Sequence, residues 1–115
     1  MVAGSRREQV ALCTRLGTTP QFVAGVDGLG ASRSLLGSVW PVQGVRCLPS
    51  GGTCGWFLWA GEFSADPSFF KPLTVLRAIE ARPQIAQYLG LPPGWGFITA
   101  EGYEDVWQDA SLLVR

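Results

Sequence analysis

The chain has 115 residues, 47% of them hydrophobic and 16% charged, with a formal net charge of zero. That length and composition describe one folded domain with a single core and exclude a disordered chain. A zero net charge argues against a protein whose main task is gripping nucleic acid phosphate, and the basic residues are scattered singly. The charge is unevenly spread: residues 1–50 carry five Arg and two acids, residues 51–115 four Lys or Arg and seven acids.

No apolar run approaches the roughly 20 residues of a bilayer-spanning helix. Arg6 and Arg7 are followed by Glu8, Gln9, Thr14 and Arg15, which form no signal-peptide apolar region. A cytoplasmic protein with no membrane association is expected. Cys13, Cys47 and Cys54 fit this, being odd in number and without paired spacing.

Ser5-Arg6-Arg7-Glu8 matches a capping box with Ser5 as N-cap. Val10, Cys13 and Leu16, with Ala11, give an apolar stripe at helical spacing, and Gly17 and Pro20 stop it. The spacing predicts a helix over 6–16 with a solvated face of Arg7, Gln9, Thr14 and Arg15. Residues 22–30 are glycine-rich and read as a flexible loop, since the order Gly-x-x-Gly-x-Gly is neither a dinucleotide fingerprint nor a P-loop. One helical turn is expected within 31–36. Residues 39–48 read as a strand that Pro41 and Gly44 push toward a bulge or an edge position.

Residues 55–61 are apolar on both alternating sets: Trp56, Leu58 and Ala60 against Phe57 and Trp59. A run of this kind between two turn-forming stretches reads as a central strand covered on both sides. With the preceding strand it predicts an antiparallel hairpin. Asp66 and Pro67 suit the start of a short helix ended by Lys71-Pro72. A short strand is expected at 73–76, then a turn or helical turn. Residues 83–90 read as a helix with Pro83 at its first position and Gly90 as its stop. Trp95–Thr99 and Tyr103–Trp107 flank Ala100-Glu101-Gly102, a hairpin signature, and Asp109 suits the cap of a final turn through Leu113. The predicted fold is α+β: a small single domain, 1–115, with 1–20 as an N-terminal helix and connector. Its mostly antiparallel sheet of about 4–5 strands, centred on 55–61, is packed by the N-terminal helix and the helix at 83–90.

The chain has no histidine. Ser-His-Asp and Cys-His catalysis, histidine metal sites and the usual base near neutral pH are therefore excluded. Three scattered cysteines do not make a zinc site, and nothing adjacent to Cys54 activates it as a nucleophile. Four acids, Glu101, Glu104, Asp105 and Asp109, fall within nine positions. Strand alternation points Glu104 and Asp105 to opposite faces, so convergence on an active site is not required. A solubilising rim, or a patch that docks a basic partner, suits them better.

Three stretches, Gly55-Trp56-Phe57-Leu58-Trp59-Ala60-Gly61-Glu62, Pro83 through Trp95 (Pro-Gln-Ile-Ala-Gln-Tyr-Leu-Gly-Leu-Pro-Pro-Gly-Trp) and Gly102-Tyr103-Glu104-Asp105-Val106-Trp107, together resemble the bacterial immunity protein thirty-three-like domain family. The resemblance runs from about Ser32 to Leu113. It departs where an Arg often follows the Pro-Gly-Trp; here that residue is Gly96, so any role of that Arg does not transfer. Many members are encoded in polymorphic toxin or secretion-system loci. The resemblance implies a non-catalytic, antitoxin-like protein with no cofactor and no metal, whose partner is a cognate toxin or effector protein. Glu101, Glu104, Asp105, Asp109 and Glu62 are the candidate partner-binding residues. The alternative is a small-ligand or carboxylate-dependent enzyme domain with a pocket of Trp56, Trp59 or Trp95 and Glu62. A homodimer through the hairpin edge is a third reading.

Overall fold

The computed structural model describes the backbone of residues 2–114 and the side chains of residues 6–114. The elements run α1 (Val2–Leu16), β1 (Gly28–Ser32), a 3-10 turn (Arg33–Leu36), β2 (Val42–Arg46), β3 (Thr53–Ala60), β4 (Phe70–Thr74) and α2 (Val75–Ala81). A 3-10 segment (Pro83–Tyr88), β5 (Trp95–Ala100), β6 (Tyr103–Gln108) and a last 3-10 turn (Ala110–Leu113) follow. One sheet holds all six strands in the order β4-β1-β3-β2-β5-β6. β1 pairs with β3 in parallel and every other pairing is antiparallel. The α+β class and the central strand are as the sequence predicts, with β1 as an additional strand.

Alternation along β3 explains its double apolar character. Trp56, Leu58 and Ala60 face the helices, in a core shared with Leu12, Cys13, Leu35, Ala78, Ile85 and Leu89. Trp56 Nε1 donates to Leu89 O at 3.1 Å, so the buried indole is satisfied. Phe57 and Trp59 face the other way. Rings from the β3–β4 connection and the start of β4 cover them. Phe57 meets Phe70 edge-on at 5.2 Å between centroids, and Trp59 meets Phe63 at 5.5 Å.

Glycine placement follows from close packing. β2 is an interior strand, between β3 and β5, and not the edge that Pro41 and Gly44 suggest. A Cβ at Gly44 would lie 2.6 Å from both Leu58 and Phe97 side chains, so these two large residues meet only because glycine separates them. The stretch expected as a flexible loop, 22–30, runs into β1 at Gly28, and close packing again explains a glycine there. At Gly30 a Cβ would come within 2.8 Å of the Phe57 ring.

Five further expectations are corrected. α1 begins at Val2, ahead of the Ser5 expected to cap it, and the Ser5 side chain lies outside the described residues. Its buried stripe is Gln9, Leu12 and Cys13 with Leu16 half-buried, while Val10 is exposed. Gln9 tolerates burial because its Nε2 donates to Ala86 O at 2.8 Å. Asp66 starts a turn, not a helix, accepting from Ser68 N at 2.8 Å, and Lys71-Pro72 lie inside β4. Residues 75–81 form α2, capped by Thr74 Oγ1, which accepts from Arg77 N at 3.2 Å. Pro83 does open a helical segment, but of 3-10 type and only to Tyr88.

Candidate interaction surface

The β5–β6 hairpin carries most of the candidate residues. Its closing pair is Ala100 and Tyr103, so the loop is Glu101-Gly102, and Gly102 takes the left-handed conformation at φ 74°. Register places Thr99, Glu104 and Val106 toward the helices and Tyr103, Asp105 and Trp107 toward the open face. Glu104 and Asp105 thus diverge, as alternation predicts.

Glu104 is tied to the rest of the molecule although its side chain is 38% exposed. Its Oε2 accepts from the Tyr88 hydroxyl at 2.5 Å, and its Oε1 accepts from Arg15 Nη2 at 3.2 Å. One carboxylate thereby ties the hairpin to the 83–88 segment and to α1. Tyr88 itself stacks on Phe97 at 4.4 Å and is buried. Burial, and then the bond to Glu104, push the Tyr88 hydroxyl up to about 12. Asp109 sits at the far end of β6. It caps the last 3-10 turn through bonds from Ser111 N and Oγ, at 3.0 and 2.7 Å, which hold its carboxyl below the ordinary range.

Glu62 and Glu101 come together in a different sense. Ala60, Val42 and Thr99 are in register across three strands, so both acids lie just past the same end of the sheet. That end also exposes Leu36, Val39, Trp40, Phe63 and Tyr103. Exposed aromatic residues near acids are the side-chain types that protein-binding surfaces use. Beside it, Trp40, Gln84, Thr99, Ala100 and Glu101 line an open groove of about 650 Å³.

Trp40 is 40% exposed, and its inner face covers the Arg82 guanidinium at 4.8 Å. Arg82 is only 3% exposed and has no carboxylate within ion-pair distance among the described residues. Its Nε donates to Leu35 O and its Nη2 to Ser34 O, while Nη1 has no partner. Burial lowers its pKa. The residue anchors the loop that presents Trp40. Nothing in the sequence distinguishes Trp40 from a strand residue; only its place before Pro41 hints at a loop.

Trp56, Trp59 and Trp95 are buried, and Glu62 lies beyond the strand end. Trp56 is spent on the core, so the aromatic pocket of the ligand-binding alternative does not form around it. Among the described residues no group of three His, Cys, Asp or Glu is placed to hold a metal ion. Burial raises the thiol pKa of Cys13 and Cys47, which disfavours their thiolates.

The Imm33-like domain model matches residues 8–109, from α1 to the end of β6. The chain belongs to the Imm33-like domain family. No curated protein and no solved structure matches it. The exposed end of the sheet, the hairpin and every candidate acid lie inside the span of this Imm33-like domain. No described helix is long and apolar enough to cross a membrane.

Proposed function

We propose that this Imm33-like domain is an immunity protein that binds and neutralises a cognate toxin or effector in the cytoplasm, without catalysing a reaction. Family membership carries the reading. The absence of histidine from the chain and the exposed apolar residues at the sheet end that also carries Glu62 and Glu101 support it. In this reading Trp40, Phe63 and Tyr103 supply the buried anchors of the contact. Glu62, Glu101 and Asp105 steer a basic partner toward them. Glu104 and Asp109 serve the same surface indirectly, by holding the hairpin in place.

The test is co-expression with the toxin encoded beside the gene. The wild-type protein restores growth, and charge reversal at Glu62, Glu101 and Asp105 together reduces the protection while the variant stays folded. Full protection by the folded triple variant removes the acidic surface from the account. Absence of protection by the wild type removes the function.

A further inference from the structure

The two edges of the sheet are built differently, and the difference is legible in the hydrogen-bond alternation. In an antiparallel pair, every second residue bonds its neighbour and the residues between turn N–H and C=O outward. On the β4 edge, Val75 N bonds Asp27 O, which sets the alternation. Leu73 and Lys71 then face β1, while Thr74, Pro72 and Phe70 face outward. The middle outward position is proline, which has no N–H to offer. A proline there, with Lys71 beside it, is a protected edge.

The β6 edge lacks that protection. Asp109 N bonds Gly94 O, one step beyond the ladder. Trp107, Asp105 and Tyr103 therefore face β5, and Glu104, Val106 and Gln108 direct N–H and C=O away from the sheet. All three are free of proline. β6 ends the strand order, and neither helix pairs with it. The strand is six residues long, regular in register over its whole length, and exposed through Tyr103, Glu104 and Asp105.

Charge says what suits this edge. From Glu101 to Asp109 there are four acids and no Lys or Arg. A second copy of the chain paired here would set acids against acids, which destabilises cross-strand pairing. On the open face Asp105 offers a basic extended segment opposite charge; on the helix-facing side Glu104 is already paired with Arg15 at 3.2 Å, so the open face is where the selection acts.

We propose that β6 recognises its partner by strand addition: an extended, lysine- or arginine-bearing segment of the partner pairs with the outward groups of Glu104, Val106 and Gln108 and becomes a seventh strand. This specifies the contact mode of the immunity reading and rests on it for the identity of the partner, but the edge is tested without a toxin. Main-chain bonds supply affinity in this mode, and flanking side chains supply selection.

The probe is a blocked peptide of β6 length with alternating lysine and valine, titrated into isotope-labelled protein by NMR. A glutamate–valine peptide is the control. The basic peptide is expected to shift and protect the amides of Glu104, Val106 and Gln108, and to bind at least about tenfold more tightly than the acidic one. Gln108→Pro removes one outward donor at an exposed edge position and weakens binding by about tenfold. Gln108→Ala, which keeps the backbone donor, leaves it unchanged. Absence of binding, shifts centred elsewhere, or equal binding by folded Gln108→Pro overturns strand addition. Toxin protection that survives in Gln108→Pro leaves the immunity reading standing and the edge contact refuted; a wild type that fails to protect refutes the immunity reading alone.

Discussion

The Tyr88–Glu104 bond decides whether Glu104 is a structural tie or a free surface acid. Replacing Tyr88 by Phe keeps the stacking on Phe97 and deletes one hydroxyl. A hydrogen bond to a charged group contributes about 1.5–3 kcal/mol. The Glu104 side chain is 38% exposed and keeps its Arg15 partner, so the low end applies, about 1.5 kcal/mol. For an m-value of about 1.5–2 kcal/mol per M, the urea midpoint falls by roughly 0.7–1 M. Arg15→Ala removes only an exposed ion pair and lowers stability by about 0.5 kcal/mol or less. The pH profile supplies an independent reading. Unfolded tyrosine titrates near 10 and the native Tyr88 near 12. The protonated hydroxyl therefore stabilises the fold fully below pH 10, and this contribution is lost as pH rises through 12. Urea titrations at pH 8 and at pH 11 should show that loss in the wild type and a smaller one in Tyr88→Phe. A midpoint for Tyr88→Phe within roughly 0.2 M of wild type, or a larger effect from Arg15→Ala, refutes the assignment.

Three other outcomes are expected. Gly55 sits at φ 99°, with Cys47 O where a Cβ would be, at 2.1 Å. Gly55→Ala should therefore lower stability by about 3 kcal/mol or more, against about 1 kcal/mol for Gly17→Ala, which has positive φ but open space; chemical denaturation compares them. Arg46, 3% exposed, donates to Cys54 O, Gln21 O and Leu91 O, and joins three segments that no sequence pattern links. Arg46→Lys cannot reproduce this fork and should cost about 2–3 kcal/mol by the same measurement. Charge reversal at Glu62, Glu101 and Asp105 should slow association with the toxin about tenfold at low salt and much less at high salt, read by stopped-flow or surface binding kinetics.

The elements that the sequence specifies locally are the ones it foretells. Residues 55–61 announce β3 by length and aromatic content, and Ala100-Glu101-Gly102 announces the last hairpin, although Ala100 belongs to the strand and pairs with Tyr103. Asp109 caps its turn with the Ser two positions on. What stays hidden is set by partners distant in the chain. β1 reads as a loop because Gly28 and Gly30 lower strand propensity, yet Phe57 and Phe70 occupy the space that Gly30 leaves. Gln9 reads as solvated because its acceptor, Ala86 O, is 77 residues away. Four of the candidate acids, Glu101 to Asp109, form a cluster in the sequence, and Glu62 stands apart. Their separation was visible only in part: alternation divides Glu104 from Asp105, but the capture of Glu104 by Tyr88 depends on a packed 3-10 segment. The exposed apolar residues at this end of the sheet come from the 36–40 stretch, the β3–β4 connection and β6, and have no contiguous signature.

The most direct measurement of the central claim is inhibition of the purified cognate toxin by the purified protein, followed against molar ratio and incubation time. Neutralisation by binding gives an inhibition that saturates at a fixed molar ratio and does not grow on longer incubation. Inhibition by a small fraction of an equivalent, increasing with time, would mean that the protein turns over a substrate and would contradict the account.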